Sequence, residues 1–125
     1  MNKYRNHKAY SDGMMFDSRR EARRYHELLM LQKAGKIRDL QRQVPFLLLP
    51  DQREPDTIGK RGGIHKGRII ERKVVYIADF CYFNCDSGEY TVEDIKGFKK
   101  GESYALFVIK RKLMLYVHGI RVKEI

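Results

Sequence analysis

Two apolar segments that flank a cluster of turn-forming residues place the strongest constraint on the fold of this chain. Residues 68–83 and 89–96 are both predicted to be β-strands, and residues 84–88 between them are Asn, Cys, Asp, Ser and Gly. Such a cluster between two apolar runs predicts a β-hairpin. Asp79 lies on the first strand and Asp94 on the second. An isolated carboxylate in a strand is costly to bury, so both acids need compensation.

The turn also predicts how the two strands are paired. A hairpin centred on Asp86 and Ser87 sets Asp79 directly opposite Asp94, on the same face, with Cβ atoms roughly 4.5–5.5 Å apart. Because side chains alternate along a strand, Asp94 shares its face with Lys96, and the adjacent Glu93 points to the other face. A slip of two residues would set Asp79 opposite Lys96 instead. In either register the two aspartates and the lysine converge.

Two carboxylates this close repel each other unless a cation lies between them. With a lysine alongside, they predict a divalent-metal site suited to phosphodiester cleavage. The simpler alternative is an ordinary salt bridge between Lys96 and Asp79 or Asp94. Glu93 is an alternative ligand, although strand parity separates it from Lys96.

The charge balance favours a polyanionic partner. The chain has 26 lysines and arginines against 16 acidic residues, a net charge of +10. Such an excess attracts nucleic acid first and an acidic membrane surface second. The 125 residues suit one domain spanning residues 1–125. No apolar run approaches the ~20 residues of a membrane span, and no signal segment is evident, so we expect no membrane association and a cytoplasmic location. Cys81 and Cys85 are expected to be free thiols.

The remaining elements follow from local patterns. Residues 1–16 form a basic N-terminal segment with a hairpin turn at 11–13. A capping box of Ser18 and Glu21 begins a helix that ends at Gly35. Residues 37–49 are predicted to be a strand with Gln43 in its middle, and 103–117 a second helix that precedes a short strand at 120–125. The resulting αβββαβ order predicts an α/β or α+β fold with a mixed sheet of about four strands flanked by helices.

Two further groups of basic residues are candidates for contact with nucleic acid. Residues 51–67 contain four glycines and almost no apolar residues, which predicts a flexible basic loop. Lys60, Arg61 and Lys66 in this loop are expected to contact phosphates. Lys110 and Lys112 on the second helix either approach the cleaved phosphate or belong to a solvated helix face.

The chain resembles the PD-(D/E)xK nuclease superfamily. The likeness rests on Glu21 in the first helix, Asp79 at the end of the second strand and Asp94-Ile95-Lys96 on the third. The opening Phe16-Asp17-Ser18-x-x-Glu21-Ala22-x-x-Tyr25 and the later Lys110-Arg111-Lys112-Leu113 resemble a small branch found mainly in phages and prophages. The proline of the superfamily's name is replaced by Ala78, which the superfamily tolerates.

The resemblance implies a restriction-endonuclease-like core and a role for each matching residue. Asp79 and Asp94 would be metal ligands, the backbone carbonyl of Ile95 a third donor, and Glu21 a ligand directly or through water. Lys96 would orient or activate the attacking water. Hard oxygen ligands suit Mg²⁺ or Mn²⁺. Glu21 could instead serve only as a helix-capping residue.

The function expected is therefore that of a metal-dependent endodeoxyribonuclease. Small members of the superfamily include Holliday junction resolvases, which often act as dimers, so a structure-selective enzyme and a homodimer are expected. The alternatives are a nuclease that processes RNA and a non-catalytic nucleic-acid-binding or phage accessory protein on the same fold.

Overall fold

The computed structural model describes residues 8–11, 13–97 and 99–125. It contains two helices and one four-stranded sheet, together with three small two-stranded pairings. The elements in chain order are β1 (Ala9–Ser11), β2 (Met14–Phe16), α1 (Arg19–Lys33), β3 (Ile37–Leu49), β4 (Gln52–Arg53), β5 (Thr57–Ile58), β6 (Ile64–His65), β7 (Ile69–Glu71), β8 (Val74–Asn84), β9 (Tyr90–Asp94), α2 (Gly101–Leu113) and β10 (Lys123–Glu124).

The four-stranded sheet is mixed, as the sequence predicted. Its strand order is β10-β9-β8-β3. β3, β8 and β9 pair antiparallel, whereas β10 pairs parallel to β9 after the crossover through α2. The predicted αβββαβ order and the α+β class are therefore confirmed. Pro45 is accommodated because β3 is an edge strand, where a missing ladder donor is tolerated.

The first helix begins and ends where its sequence signals predict. The Ser18 hydroxyl accepts a hydrogen bond from the backbone N–H of Glu21 at 3.1 Å, which satisfies one of the free donors at the helix start. At the other end, Gly35 adopts a φ of 75°, a conformation that favours glycine after a helix. The capping interaction fixes the position of Glu21 in the first turn.

The sheet is covered by a helix on each face. Leu28 of α1 packs with Phe80, Tyr82 and Ile37 on one face. On the other face, Phe107 of α2 belongs to a second buried cluster. The other buried members of this second cluster are Leu48, Tyr76, Ala78, Cys81, Val92 and Met114.

The alternation of side chains along β8 breaks at Asp79. Ala78 and Cys81 both belong to the cluster beneath α2, whereas Phe80 packs beneath α1, and strict alternation would not place Ala78 and Cys81 on one face. Opposite this point on β3, Gln43 has a φ of 51°, a conformation that is uncommon outside glycine. Asp79 therefore lies where the strand changes face, within reach of groups on both sides of the sheet.

Residues 51–67, predicted to be a flexible basic loop, contain short paired strands separated by irregular segments; their flexibility stays a prediction. β4 pairs with β7 and β5 pairs with β6, both antiparallel, and together they continue the β3–β8 ribbon beyond the sheet. We call residues 51–73 the arm. The glycines that suggested a loop instead form the turn at its tip and a close contact within it. Gly67 is required there because a Cβ would lie 1.7 Å from the Glu54 carbonyl oxygen.

The C-terminal elements were predicted with different bounds. α2 starts at Gly101 and continues into a π-helical turn, Met114–His118, that ends at Gly119 with a φ of 68°. Only Lys123 and Glu124 of the predicted last strand pair with the sheet. β1 and β2 form the predicted N-terminal hairpin, but residues 1–7 and Asp12 lie outside the described residues. Within the described ranges, no helix is long and apolar enough to cross a membrane.

Candidate active site

A cleft of about 820 Å³ lies between the start of α1, the middle of the sheet and the start of α2. All four predicted catalytic residues line it, each from a different segment of the chain: Glu21, Asp79, Asp94 and Lys96. The remaining lining residues are Asp17, Ser18, Arg20, Gln43, Ile77, Ile95, Gly97, Lys100, Gly101, Glu102, Ser103 and Tyr104.

Asp79 lies at the centre of the site. The predicted register is confirmed by the pairing of Phe80 with Glu93, and Asp79 and Asp94 are the next residues beyond this pair. One Asp79 carboxylate oxygen accepts the backbone N–H of Ile95 at 2.8 Å, and the other accepts the Gln43 side-chain amide at 3.3 Å. Burial, followed by the negative charge of Asp94, raises the pKa of Asp79 to about 7. Burial and the neighbouring carboxylate therefore disfavour the ionised form of Asp79.

Gln43 connects the first helix to the strand carboxylate. Its side-chain amide donates to Glu21 at 3.1 Å as well as to Asp79. Burial and the nearby Asp17 raise the pKa of Glu21. The Glu21 side chain therefore shares a hydrogen-bond donor with Asp79, and its role as a metal ligand stays a prediction.

Asp94 and Lys96 form an ion pair on the α2 side of the site. The Lys96 ammonium lies 2.9 Å from one Asp94 oxygen and 4.1 Å from the centre of the Phe107 ring. The Tyr76 hydroxyl donates to the other Asp94 oxygen at 2.5 Å. The backbone on both sides of Ile95 is held by the C-terminal residue: Lys96 N–H donates to the Ile125 carbonyl, and Ile125 N–H donates to the Asp94 carbonyl. The parallel edge strand therefore fixes the Asp94–Lys96 segment.

Glu93 lies on the opposite face, as strand parity predicted. It is completely buried and accepts two hydrogen bonds from the Arg24 guanidinium, at 2.9 and 2.6 Å. The Tyr82 hydroxyl donates to the same carboxylate, and burial, together with that bond, raises the pKa of Tyr82. Glu93 therefore anchors α1 to the sheet.

The donor set suits a hard cation, although no preformed cage is present. Across residues 8–11, 13–97 and 99–125, no three His, Cys, Asp or Glu side chains are grouped as a metal site. Glu21, Asp79 and Asp94 nevertheless supply carboxylate oxygens to one cleft, and such oxygens are the ligands of Mg²⁺ and Mn²⁺. Ile95 takes part through its N–H group, and its carbonyl as a donor stays a prediction. Cys81 is buried, Cys85 is exposed, and both are free thiols.

The predicted basic residues occupy two separate places. Lys110 donates to the Val75 carbonyl at 3.0 Å and lines a smaller cleft of about 250 Å³ together with Asp94 and Lys96. Lys112 is exposed on α2. Lys60, Arg61 and Lys66 are exposed on the arm.

Three site contacts were not predicted from the sequence. Tyr76, Tyr82 and Arg24 each bind a strand carboxylate, and a long-range pair of this kind leaves no signal in residue spacing. Gln43 was predicted from the sequence only as a polar residue in the middle of β3.

The comparisons with known proteins identify a family without assigning an activity. A family model described as a protein of unknown function, DUF1064, matches residues 1–122. The chain belongs to the DUF1064 family. No curated protein and no solved structure matches it. For this DUF1064 protein, the function must therefore be argued from the cleft itself.

Proposed function

We propose that this protein is a metal-dependent endodeoxyribonuclease of the PD-(D/E)xK superfamily. The observation that carries the proposal is the convergence of Glu21, Asp79, Asp94 and Lys96 at one cleft. These residues come from a helix, two strands and the segment after the second strand. A purely structural salt bridge would require only two of them.

Glu21, Asp79 and Asp94 would hold Mg²⁺ or Mn²⁺ through their carboxylate oxygens. Such an ion polarises a phosphate and stabilises the charge that develops on it. The buried carboxylates provide a reason for a cation to bind, because the negative charge of Asp94 and that of Glu21 both disfavour ionisation of Asp79.

Lys96 supplies a positive charge beside the carboxylates of the cleft. Its ammonium is held between Asp94 and the Phe107 ring, and its side chain is 24% exposed. In this position it hydrogen-bonds the attacking water and offsets phosphate charge, while Asp94 and Phe107 restrict its movement. Preorganised charge of this kind stabilises a transition state without reorganisation.

The start of α2 provides a second group of donors for the phosphate. Gly101, Glu102 and Ser103 line the cleft, and Lys100 at the N-cap makes no side-chain capping bond. The first N–H groups of a helix have no partner within it, and phosphates bind at such helix ends. A phosphodiester in the cleft is therefore bound by Lys96 on one side and by the α2 backbone on the other.

We propose DNA as the substrate, with branched DNA such as a Holliday junction as the preferred form. The net charge of +10 favours a polyanion. Cutting two strands requires two sites, and we propose a homodimer formed through the exposed apolar residues Leu106, Ile109 and Tyr116. Sedimentation would detect the dimer. If the chain is phage-encoded, the enzyme would act in the host cytoplasm.

A cleavage panel tests the activity. The purified protein is incubated with end-labelled duplex, single-stranded, flap and four-way-junction DNA, and with matched RNA, in Mg²⁺, Mn²⁺ or EDTA. We expect cleavage of DNA that requires a divalent ion and is fastest on the junction. Full activity in EDTA would contradict the metal site, and preferential cutting of RNA would assign the protein to RNA processing. Binding without cleavage under every condition would indicate a non-catalytic nucleic-acid-binding protein with this fold.

A further inference from the structure

The arm has a feature that phosphate binding does not explain. Ile58 and Ile64 are directly opposed on β5 and β6, and they are 80% and 76% exposed. Directly opposed side chains point to the same face of a ribbon. Single exposed isoleucines are ordinary on protein surfaces, but here two of them form one apolar projection in the last strand pair before the tip.

The surroundings of this pair are uniformly basic. Residues 57–68 contain Lys60, Arg61, Lys66, Arg68 and one histidine, and no acidic residue. All four lysines and arginines are exposed. Across the described residues, no ion pair involves any of them. The apolar projection therefore lies beside positive charge that forms no ion pair with any described side chain.

Two acidic residues of the arm bind backbone groups within it. Asp56 accepts the Gly67 N–H at 2.9 Å, and Asp51 accepts the Lys73 N–H at 2.7 Å. These bonds help to hold the arm together, and residues 57–65 at its outer end include Lys60 and Arg61 but no acidic residue.

The arm is also held in a defined shape. Arg53 donates to the Gly67 carbonyl at 2.9 Å, and Glu54 N–H donates to the Arg68 carbonyl at 2.8 Å. At the tip, Gly59 N–H donates to the Gly63 carbonyl at 2.7 Å. Because these bonds join its two sides, the arm presents the two isoleucines together in the strand pair next to its tip.

We infer that the arm binds double-stranded DNA and inserts Ile58 and Ile64 between base pairs from the minor groove. Minor-groove proteins commonly combine lysines or arginines with an apolar wedge, and the wedge unstacks a base step and kinks the duplex by roughly 20–90°. Lys60 and Arg61 lie next to the wedge and neutralise the phosphates beside the groove. The inference rests on the proposed function only in taking DNA as the ligand.

Two matched double variants test the wedge. Ile58→Thr with Ile64→Thr removes the apolar character, whereas Ile58→Val with Ile64→Val keeps it. Valine and threonine are both β-branched residues that favour strands, so both variants retain the ribbon. The probe is a short DNA duplex with a donor and an acceptor dye at its two ends, in EDTA, so that binding and kinking are measured without cleavage.

We expect the parent and the valine variant to raise energy transfer between the dyes at saturation. The threonine variant should bind roughly tenfold more weakly without raising the transfer, while the salt dependence of binding stays the same. Replacing Lys60, Arg61 and Lys66 with glutamine should instead flatten the salt dependence, by up to about 0.9 in slope per lost phosphate contact.

Three results would overturn the inference: equal energy transfer with the threonine and valine variants, no change in transfer when the parent binds, or no binding of duplex by the parent. A change in sedimentation caused only by the threonine variant would show that the arm contacts a second copy of the chain. Metal-dependent cleavage without kinking would contradict the proposed wedge and support the proposed nuclease activity. Kinking without cleavage would support the wedge and contradict the nuclease activity.

Discussion

Two adjacent residues of β9, Glu93 and Asp94, each form a cluster of one carboxylate, one basic residue and one tyrosine. The surroundings of the two clusters differ. Glu93 is bound by an arginine and a tyrosine, and Asp94 by a lysine and a tyrosine. The Glu93 side chain is fully buried beneath α1, whereas the Asp94 side chain, which is 6% exposed, lines the cleft. We propose that Glu93 holds the fold together and that Asp94 takes part in the chemistry.

The partners differ in a way that matches these roles. Arg24 binds Glu93 with two parallel hydrogen bonds, the geometry in which arginine is most specific. Lys96 is a single point charge that contacts one Asp94 oxygen, and in the proposed function it would exchange that contact for a phosphate. The two clusters lie on opposite faces because adjacent residues of a strand point in opposite directions.

The largest effect should come from Asp79→Asn, because Asp79 lies between the two sides of the site. We expect cleavage to fall by roughly 100-fold or more, as for the loss of a group that stabilises developing charge, with DNA binding largely intact. Single-turnover cleavage and anisotropy measure the two quantities. Asp86→Asn is the matched control, because Asp86 is exposed in the β8–β9 turn; equal losses in both variants would remove Asp79 from the site.

Lys96→Gln should also nearly abolish cleavage, because it removes the positive charge beside Asp94 but keeps a polar side chain. The substitution leaves Asp94 bound only to Tyr76, so thermal unfolding must be recorded alongside. Lys110→Gln is the control on α2, and we expect it to be milder because Lys110 binds the Val75 carbonyl. A Lys96→Gln protein that cuts at the parent rate would show that the lysine is only a salt-bridge partner.

Glu93→Gln should reduce stability rather than chemistry. It leaves the Arg24 charge without its buried partner, and breaking a buried pair costs about 3 kcal/mol. For a chain of this size the melting temperature should fall by roughly 10 °C. Glu27→Gln removes the other partner of Arg24 at an exposed site and should cost under about 0.5 kcal/mol. Equal losses of stability would mean that burial does not distinguish the two glutamates.

Among the cleft residues tested, the smallest effect on cleavage should come from Gln43→Gly. Glycine accepts the φ of 51° at this position without strain, so the free energy of unfolding should change little. The amide that joins Glu21 to Asp79 is lost, and cleavage should fall by roughly tenfold, within the range of a lost positioning bond. A loss of stability without a loss of rate would make Gln43 a structural residue.

The core of the fold could be predicted from the sequence because its signals are local. The Ser18 cap, the terminal glycines and the turn at 84–88 each act over a few residues, and they predicted α1 and the β8–β9 register. The arm was not predicted from the sequence. Its glycines form the turn at the tip and the close contact at Gly67, and composition alone does not distinguish glycines in these places from glycines in a loop.

The candidate site could be predicted only in part. Asp79, Asp94 and Lys96 follow from strand alternation and the hairpin register. The break in alternation at Asp79 lies beside the positive φ of Gln43 on the neighbouring strand, and the Arg24–Glu93 bond joins residues 69 positions apart. Interactions of this kind are decided by tertiary packing, which the spacing of residues does not record.

The central claim is tested most directly by comparing two variants, Asp94→Asn and Glu93→Gln. Their metal-dependent cleavage is measured side by side at a temperature where both are folded. The two variants make the same change at adjacent positions of one strand. We expect Asp94→Asn to lose cleavage of junction DNA in Mg²⁺ and Glu93→Gln to cut at close to the parent rate. The reverse ranking, or equal rates in both variants, would contradict the assignment of Asp94 to chemistry and Glu93 to stability.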